Sequence, residues 1–364
     1  MARTEATPRA APSRPAGPAE GGDGRDSRAP TVGRRPSRRF MAGKALREFF
    51  AHECWDRAAS LTFFGVLSIP PVAVALVSVL TLIGQGETST QAVLDILRQL
   101  TPDDEALASV TEPVLAVLNQ PSAGITLVVG ILTGLWLASG YVGAFGRALN
   151  RIYGVDEGRP LWRLLIWHLV TTVMLVAFGS LVALMLVVSG PVTHAIGDVL
   201  DLGDAVVLAW EVARWPVLLA AAILVVAVLY YATPNVRYAR FRWISPGAVV
   251  ALAIAAAASY GLSFYVSAFG RFDISYGAAL AGIVVFFLWL WIINMSLLYG
   301  AELDVQLERG RQLVAGVDAD EGIRIDVRDS RASERAAQRR RADAARSRSL
   351  RASHGWADAE PLEE

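Results

Sequence analysis

The feature that most constrains the fold is the apolar stretch 277–301, where Tyr299 is the sole ionisable side chain. A helix over these residues is about 36 Å long, which exceeds the roughly 30 Å hydrocarbon core of a bilayer. The stretch is therefore predicted to be a membrane-spanning helix. Asn294 lies inside it and Glu302 follows it. Because an unpartnered polar group at that depth is costly, both side chains are expected to face other helices.

The composition extends this prediction to the whole chain. Of its 364 residues 54% are hydrophobic, and the mean hydropathy is +0.40. The chain is too apolar for a typical soluble domain and too long for one span, so an all-α, polytopic membrane protein is predicted. Cys54 is the single cysteine, which excludes an intramolecular disulfide and a multi-cysteine metal site and favours a small structural role.

Six transmembrane helices are predicted from the apolar segments. They lie at about 58–84, 124–149, 164–190, 212–232, 245–268 and 277–301. Pro70 and Pro71 are expected to kink or break the first span. Recurrent glycines predict a central second span, and the alanine-rich fifth span is expected to be buried between helices. Residues 88–122 are too polar to span, and their apolar stripes predict short amphipathic extracytoplasmic helices between spans one and two.

The chain divides into three regions. Residues 1–43 have almost no large apolar side chains and are predicted to be a disordered basic N-terminal tail. Residues 44–310 form the membrane domain, and 311–364 form a polar, Arg-rich C-terminal tail. Arginines collect before the first span and after the second, fourth and sixth, which predicts cytoplasmic N- and C-termini. The C-terminal tail is expected to be solvated and to touch anionic membrane lipids transiently. It lacks interleaved aromatic residues, so no nucleic-acid partner is expected, and protein partners stay open.

Nine polar or charged residues are predicted to lie near the cytoplasmic membrane face. They are Asp56, Arg57, Arg147, Asn150, Arg151, Asn235, Arg237, Asn294 and Glu302. Because isolated charges are costly in a low-dielectric region, carboxylates and guanidinium groups are expected to pair there. We expect Glu302 to pair with Arg147 or Arg151. Two roles are open: ion pairs that lock the helix ends, and a polar gate or headgroup-binding site.

The sequence contains no pattern typical of an enzyme. The four histidines are far apart, and on this topology they lie in different compartments. No phosphate-binding loop and no nucleophile elbow are present. We therefore expect no catalytic residue, no metal site and no cofactor.

Several spaced motifs resemble the YihY/BrkB family of bacterial inner-membrane proteins. They are DRAASLTFF at 56–64, ALNRIY at 148–153, PN at 234–235 before SPGA at 245–248, YG at 276–277, WLW at 289–291 and GAEL at 300–303. The resemblance covers about residues 45–310 and implies six spans, cytoplasmic termini and a location in the bacterial plasma membrane. Members have carried the label ribonuclease BN. A metal-dependent nuclease needs clustered His and Asp ligands, which this sequence does not suggest, so that function is rejected.

Two functions from different classes remain. The first is a transporter-like protein for a lipid or amphiphilic solute, which the kinked first span, the glycine-rich second span and the buried polar residues permit. The alternative is a non-transporting envelope scaffold or partner-binding membrane protein. A water-accessible cavity between the spans would distinguish them.

Overall fold

The computed structural model describes residues 38–83, 123–187, 204–238, 244–269 and 278–352. All of these belong to one compact unit, Arg35–Glu364. The helices are α1 (Arg38–Ala51), α2 (Cys54–Ile83), α3 (Ala123–Ile152), α4 (Leu161–Val187), α5 (Asp204–Ala232), α6 (Pro246–Phe269), α7 (Ala278–Val314) and α8 (Arg331–Ala352). Two short strands, β1 (Val236–Arg237) and β2 (Asp326–Val327), pair antiparallel.

The all-α, polytopic prediction is confirmed. Five helices in the described residues are long and apolar enough to cross a membrane: Val128–Ile152, Leu161–Ser180, Leu208–Ala232, Pro246–Ala268 and Gly282–Val314. They lie in α3 to α7 and correspond to the second to sixth predicted spans. Helix α6 begins at Pro246, in agreement with the predicted start of the fifth span at residue 245. Ser245 caps the helix, because its Oγ accepts a hydrogen bond from the Ala248 N–H at 3.0 Å.

The first predicted span lies in α2, a helix of 30 residues that continues through Pro70 and Pro71. The helix is therefore not broken at these prolines, which membrane helices tolerate when neighbouring groups satisfy the freed carbonyls. The side chains of residues 71–83 lie outside the description, as do residues 84–122 with the two predicted amphipathic helices. The count of six spans remains a prediction.

Helix α3 is central, as its glycines predict. It is the most buried of the five candidate spans and contacts α2, α4, α5 and α7. Gly143 lies against the His168 ring of α4, and Gly146 lies against the Thr233 carbonyl at the end of α5. A Cβ atom at Gly146 would be only 3.0 Å from that oxygen, so the missing side chain lets the two backbones approach closely.

Buried side chains concentrate at the end of the bundle that carries α1 and the two strands. They include Phe145, Leu149, Tyr230, Val236, Leu298 and Val305. Further along α3, α5 and α6, large apolar side chains such as Leu132, Val212 and Phe264 are exposed, as expected of helix faces that contact lipid tails. The prediction that the alanine-rich fifth span is buried is wrong. Helix α6 is the least buried candidate span, because its alanines are buried only near its start, at Ala248 and Ala251.

The strands bring the chain after α7 back to the membrane domain. Val236 pairs with Val327, and Arg237 pairs with Asp326. The predicted domain boundary at residue 310 falls inside α7. The separation of a C-terminal tail remains a prediction, and the pairing shows that residues 326–327 are held on the membrane domain.

The backbones of helices α6 and α7 lie in close contact at Gly247 and Gly300. A Cβ atom at either glycine would overlap the carbonyl oxygen of the other. A Cβ atom at Gly282, also on α7, would meet nothing within 4 Å.

Gly300→Ala is therefore expected to destabilise the protein by about 1–3 kcal/mol or more, since the added methyl group forces the two backbones apart. Gly282→Ala is the matched control and should change stability by less than about 1 kcal/mol. Thermal unfolding of both purified variants in one detergent checks this. Equal unfolding midpoints would contradict the close packing.

Candidate functional site

The nine predicted residues do not form one cluster. Four of them, Asp56, Arg147, Arg151 and Arg237, have exposed side chains. Arg57 is half-buried, and its Nε donates to the His52 carbonyl at 2.9 Å. The other four belong to three separate groups of hydrogen-bonded side chains. We name these groups the asparagine node, the carboxylate site and the mid-helix site.

The asparagine node joins Asn150 and Asn235. Asn150, in the last turn of α3, accepts a hydrogen bond at Oδ1 from the Asn235 N–H at 2.7 Å. Its Nδ2 donates to Glu157 Oε2 at 2.9 Å. Asn235 is fully buried, and its Nδ2 donates to the carbonyls of Asp156 at 3.0 Å and Asp329 at 2.7 Å. The node thus ties together the segments that follow α3, follow α5 and precede α8.

Arg159 completes this node and was not among the predicted residues. Its Nε and Nη2 each donate to Glu157 at 2.8 Å, and Nη2 also donates to the Thr233 carbonyl at 2.9 Å. Burial alone would raise the pKa of Glu157, but the hydrogen bonds and charge of Arg159 hold that pKa below its ordinary value. The one sequence signal for Arg159 was its place among the arginines that follow the second span.

The carboxylate site shows that the predicted partner of Glu302 is wrong. Glu302 Oε2 lies 3.0 Å from His52 Nδ1, and Oε1 accepts a hydrogen bond from Gln306 Nε2 at 3.0 Å. Glu302 is fully buried and faces the turn between α1 and α2, whereas Arg147 and Arg151 are exposed on α3. Helix spacing alone did not reveal that α1 packs on α7, which puts a histidine against this carboxylate.

The mid-helix site confirms that Asn294 faces other helices. Its Nδ2 donates to Thr62 Oγ1 of α2 at 3.1 Å, and its Oδ1 accepts from the Tyr141 hydroxyl of α3 at 2.9 Å. Asn294 and Thr62 are buried. The site therefore fixes α7 against α2 and α3 by hydrogen bonds in both directions.

A cavity of about 830 Å³ lies beside the asparagine node, between the ends of α3, α5, α6 and α7 and the segment that contains β2. Its charged lining residues are Arg237, Asp304, Glu308, Arg311, Arg324 and Asp326, and its aromatic ones are Tyr153, Tyr230, Tyr231 and Tyr238. Only Arg237 was among the predicted site residues. Tyrosines at the ends of two predicted spans were the sequence signal for this cavity. Its volume is within the range of small-molecule sites.

No group of three or more His, Cys, Asp and Glu side chains stands close enough to hold a metal ion in the part of the chain that the structure describes. The expectation that the protein is not an enzyme remains a prediction.

The fold and these sites define a polytopic α-helical membrane protein whose polar contacts concentrate at one end of the bundle. The family model described as Virulence factor BrkB matches residues 45–321. The chain belongs to this family, which confirms the family predicted from its motifs.

Three bacterial relatives illustrate the family. The chain is 31% identical over 273 residues to the ribonuclease-like protein YfkH of Bacillus subtilis, covering 74% of this chain and 96% of that protein. It is 28% identical to a UPF0761 membrane protein of Nitrosospira multiformis and to one of Alkalilimnicola ehrlichii, covering 73% and 76% of this chain. The chain spans 60% of the length of each UPF0761 protein. No solved structure matches the chain.

The pairing of Glu157 with Arg159 predicts a dependence of stability on pH. Because the folded-state pKa of Glu157 is lowered, the pair stabilises the fold above the ordinary glutamate pKa, and this stabilisation is lost as the pH falls through the lowered value. Glu157→Gln should lower stability at pH 7 by about 1.5–3 kcal/mol. The difference from wild type should shrink in acid.

Thermal unfolding of both proteins between neutral and acidic pH measures this. Glu308→Gln is the control, because its pair with Arg311 is half-exposed and should contribute less than about 1 kcal/mol. A wild-type advantage over Glu157→Gln that persists unchanged in acid would refute the assignment.

Proposed function

We propose that the protein is transporter-like and handles a lipid or an amphiphilic solute in the bacterial plasma membrane. The observation that carries this proposal is the cavity of about 830 Å³ with mixed charged and aromatic walls. Such walls suit the polar headgroup of an amphiphile, since arginine binds phosphate or carboxylate and tyrosine contributes apolar contact area. The exposed apolar faces of α5 and α6 suit its hydrocarbon part.

Arg237 is the arginine we assign to headgroup binding. Among the other arginines that line the cavity, Arg311 pairs with Glu308 at 2.7 Å and Arg324 with Asp318 at 3.3 Å. In the described residues Arg237 has no ion pair, so its guanidinium is available to an anionic group. The pairing of Arg237 with Asp326 between β1 and β2 holds the backbone of Arg237 in place, two residues after the buried Asn235.

The orientation with both termini in the cytoplasm is part of this proposal. Its supports are the distribution of arginines and the packing of α1 against α7, which brings the start and the end of the membrane domain to the same end of the bundle. An even number of crossings, such as six, follows if both termini lie on one side. The cavity then opens at the cytoplasmic face.

A scaffold is the second candidate function, and a specific observation favours it. Asn150, Asn235, Asn294 and Glu302 all have hydrogen-bond partners within the protein. Buried polar groups that are fully bonded in this way hold helices in position and need no ligand.

Lipid translocation in proteoliposomes separates the two functions. With fluorescent phospholipids and dithionite quenching, wild-type protein should cause loss of the inner-leaflet signal, and Arg237→Gln should slow this loss several-fold. Arg151→Gln is the matched control, because Arg151 is also exposed at this end of the bundle but does not line the cavity.

Equal rates for the two variants would remove Arg237 from the mechanism. No protein-dependent loss in a demonstrably folded wild-type sample would favour the scaffold.

Helix α8 is proposed to contact anionic lipid headgroups. It carries eight arginines and two acidic residues, and none of its residues is buried. Its start is fixed to the membrane domain, because the Ala332 N–H donates to the Gly158 carbonyl at 2.8 Å. A basic helix tethered at a membrane face gains roughly 1 kcal/mol per arginine near an anionic surface.

Hydrogen exchange of α8 in nanodiscs tests this contact. Exchange should be slower in nanodiscs that contain phosphatidylglycerol than in neutral ones, and added salt should abolish the difference. Replacing Arg339, Arg340 and Arg341 with glutamine keeps a good helix former and should remove most of the protection. Identical exchange in both lipid compositions would exclude the contact.

A further inference from the structure

We propose that His52 and Glu302 form a proton-binding site that couples proton movement to transport. The coupling rests on the transporter function proposed above, whereas proton binding itself does not.

The first observation is the unequal exposure of the two partners. The Glu302 side chain is 0% exposed, the His52 side chain is 22% exposed, and their facing atoms are 3.0 Å apart. An ionisable group buried in a membrane-crossing helix is costly and marks a functional site by default. Histidine is the side chain that ordinarily gains and loses a proton near neutral pH. The imidazole therefore links the buried carboxylate to solvent.

The second observation is the strained turn that holds His52 in place. Glu53, the next residue, has φ of 54° and is the one non-glycine residue with positive φ in the described ranges. Arg57 also fixes this turn through its bond to the His52 carbonyl. Backbone strain of this kind persists where the surrounding structure enforces it, and it is often found at functional sites. Here the strained turn positions the imidazole over Glu302.

The third observation concerns Gln306. Its Nε2 donates to Glu302, while its buried Oε1 has no hydrogen-bond partner among the described residues. If the side-chain amide of Gln306 rotates by 180°, it presents its oxygen, an acceptor, to Glu302 in place of its NH₂ donor. Gln306 can thus hydrogen bond to Glu302 whether the carboxyl group is ionised or protonated. An arginine or lysine at this position would stabilise only the ionised form.

The proton step is balanced within the pair. A proton from solvent binds His52 Nε2, the Nδ1 proton moves to Glu302 Oε2, and a neutral imidazole and a carboxylic acid result. Release reverses both transfers. The titratable groups that interact electrostatically with Glu302 are Lys44 of α1 and Cys54 of α2. Further charged groups interact with these two: Arg47 and Glu48 of α1 and Arg309 of α7 with Lys44, and Arg57 of α2 with Cys54.

Infrared difference spectroscopy of the full chain in nanodiscs tests proton binding. As the pH is lowered, a protonated-carboxyl band should appear in wild type and be absent in Glu302→Gln. His52→Gln should shift the midpoint of this band by about one pH unit, the size of a shift caused by one neighbouring group. Glu53→Gln, in the same turn with a 71% exposed side chain, should leave the midpoint unchanged. His52→Gln removes a partly exposed side chain and keeps the test valid if Glu302→Gln fails to fold.

A wild-type spectrum without a band assignable to Glu302 between about pH 5 and 9 would overturn the proton site, since that range covers the pH at which a histidine ordinarily titrates.

Lipid translocation under an imposed pH gradient tests the coupling. The gradient should change the wild-type rate several-fold and leave the rate of Glu302→Gln unaffected. If the wild-type protein translocates lipid at the same rate with and without the pH gradient, the coupling is refuted but the transporter function is not. A titrating Glu302 without any translocation would retain the proton site and refute the transporter function together with the coupling.

Discussion

Water is absent from the core of a bilayer, so a polar side chain among the membrane-crossing helices must find its partner elsewhere in the chain. Asn294 bonds to Thr62 and Tyr141, and Asn235 bonds to Asn150. Apolar side chains do not require a particular partner helix, because lipid tails are as apolar as leucine and can take the place of a neighbouring helix. The exposed apolar faces of α3, α5 and α6 are therefore compatible with many helix arrangements. The buried hydrogen bonds therefore specify which helices meet, both along the bundle at Asn294 and at the end that holds the asparagine node.

The end of the bundle that holds the asparagine node also holds side chains that are available to ligands. The strand β1 places a buried structural residue directly before an exposed residue of this kind. Successive residues of a strand point to opposite faces. Val236 is buried against the core, while the next residue, Arg237, is exposed and lines the cavity. The carboxylate site combines both roles in one pair, since Glu302 is enclosed and His52 reaches solvent. In β1, the residue that holds the fold and the residue that is proposed to bind a ligand are therefore adjacent in sequence.

The sequence predicted those features that depend on local pattern. Apolar length located five spans, and the predicted start of the fifth span at residue 245 agrees with the start of α6. Partner choice was not predictable, because it depends on contacts between distant segments. The partner of Glu302 follows from the turn at Glu53, where a non-glycine residue adopts positive φ without a sequence signal. One partner of Asn235 is the backbone carbonyl of Asp329, 94 positions away, and backbone groups carry no compositional signature.

The segment between α7 and α8 takes part in a contact that its composition does not reveal. Its polarity indicates a tail, yet Ile323, Arg324 and Ile325 form a wall of the cavity, and β2 pairs with β1. Only three residues lie between Val327 and Arg331, the first residue of α8. Removing residues 315–352 would therefore unpair β1, open the cavity and deprive Asn235 of a hydrogen-bond acceptor. Loss of activity in such a truncation would report damage to the membrane domain, so the role of α8 has to be tested by substituting its arginines within the intact chain.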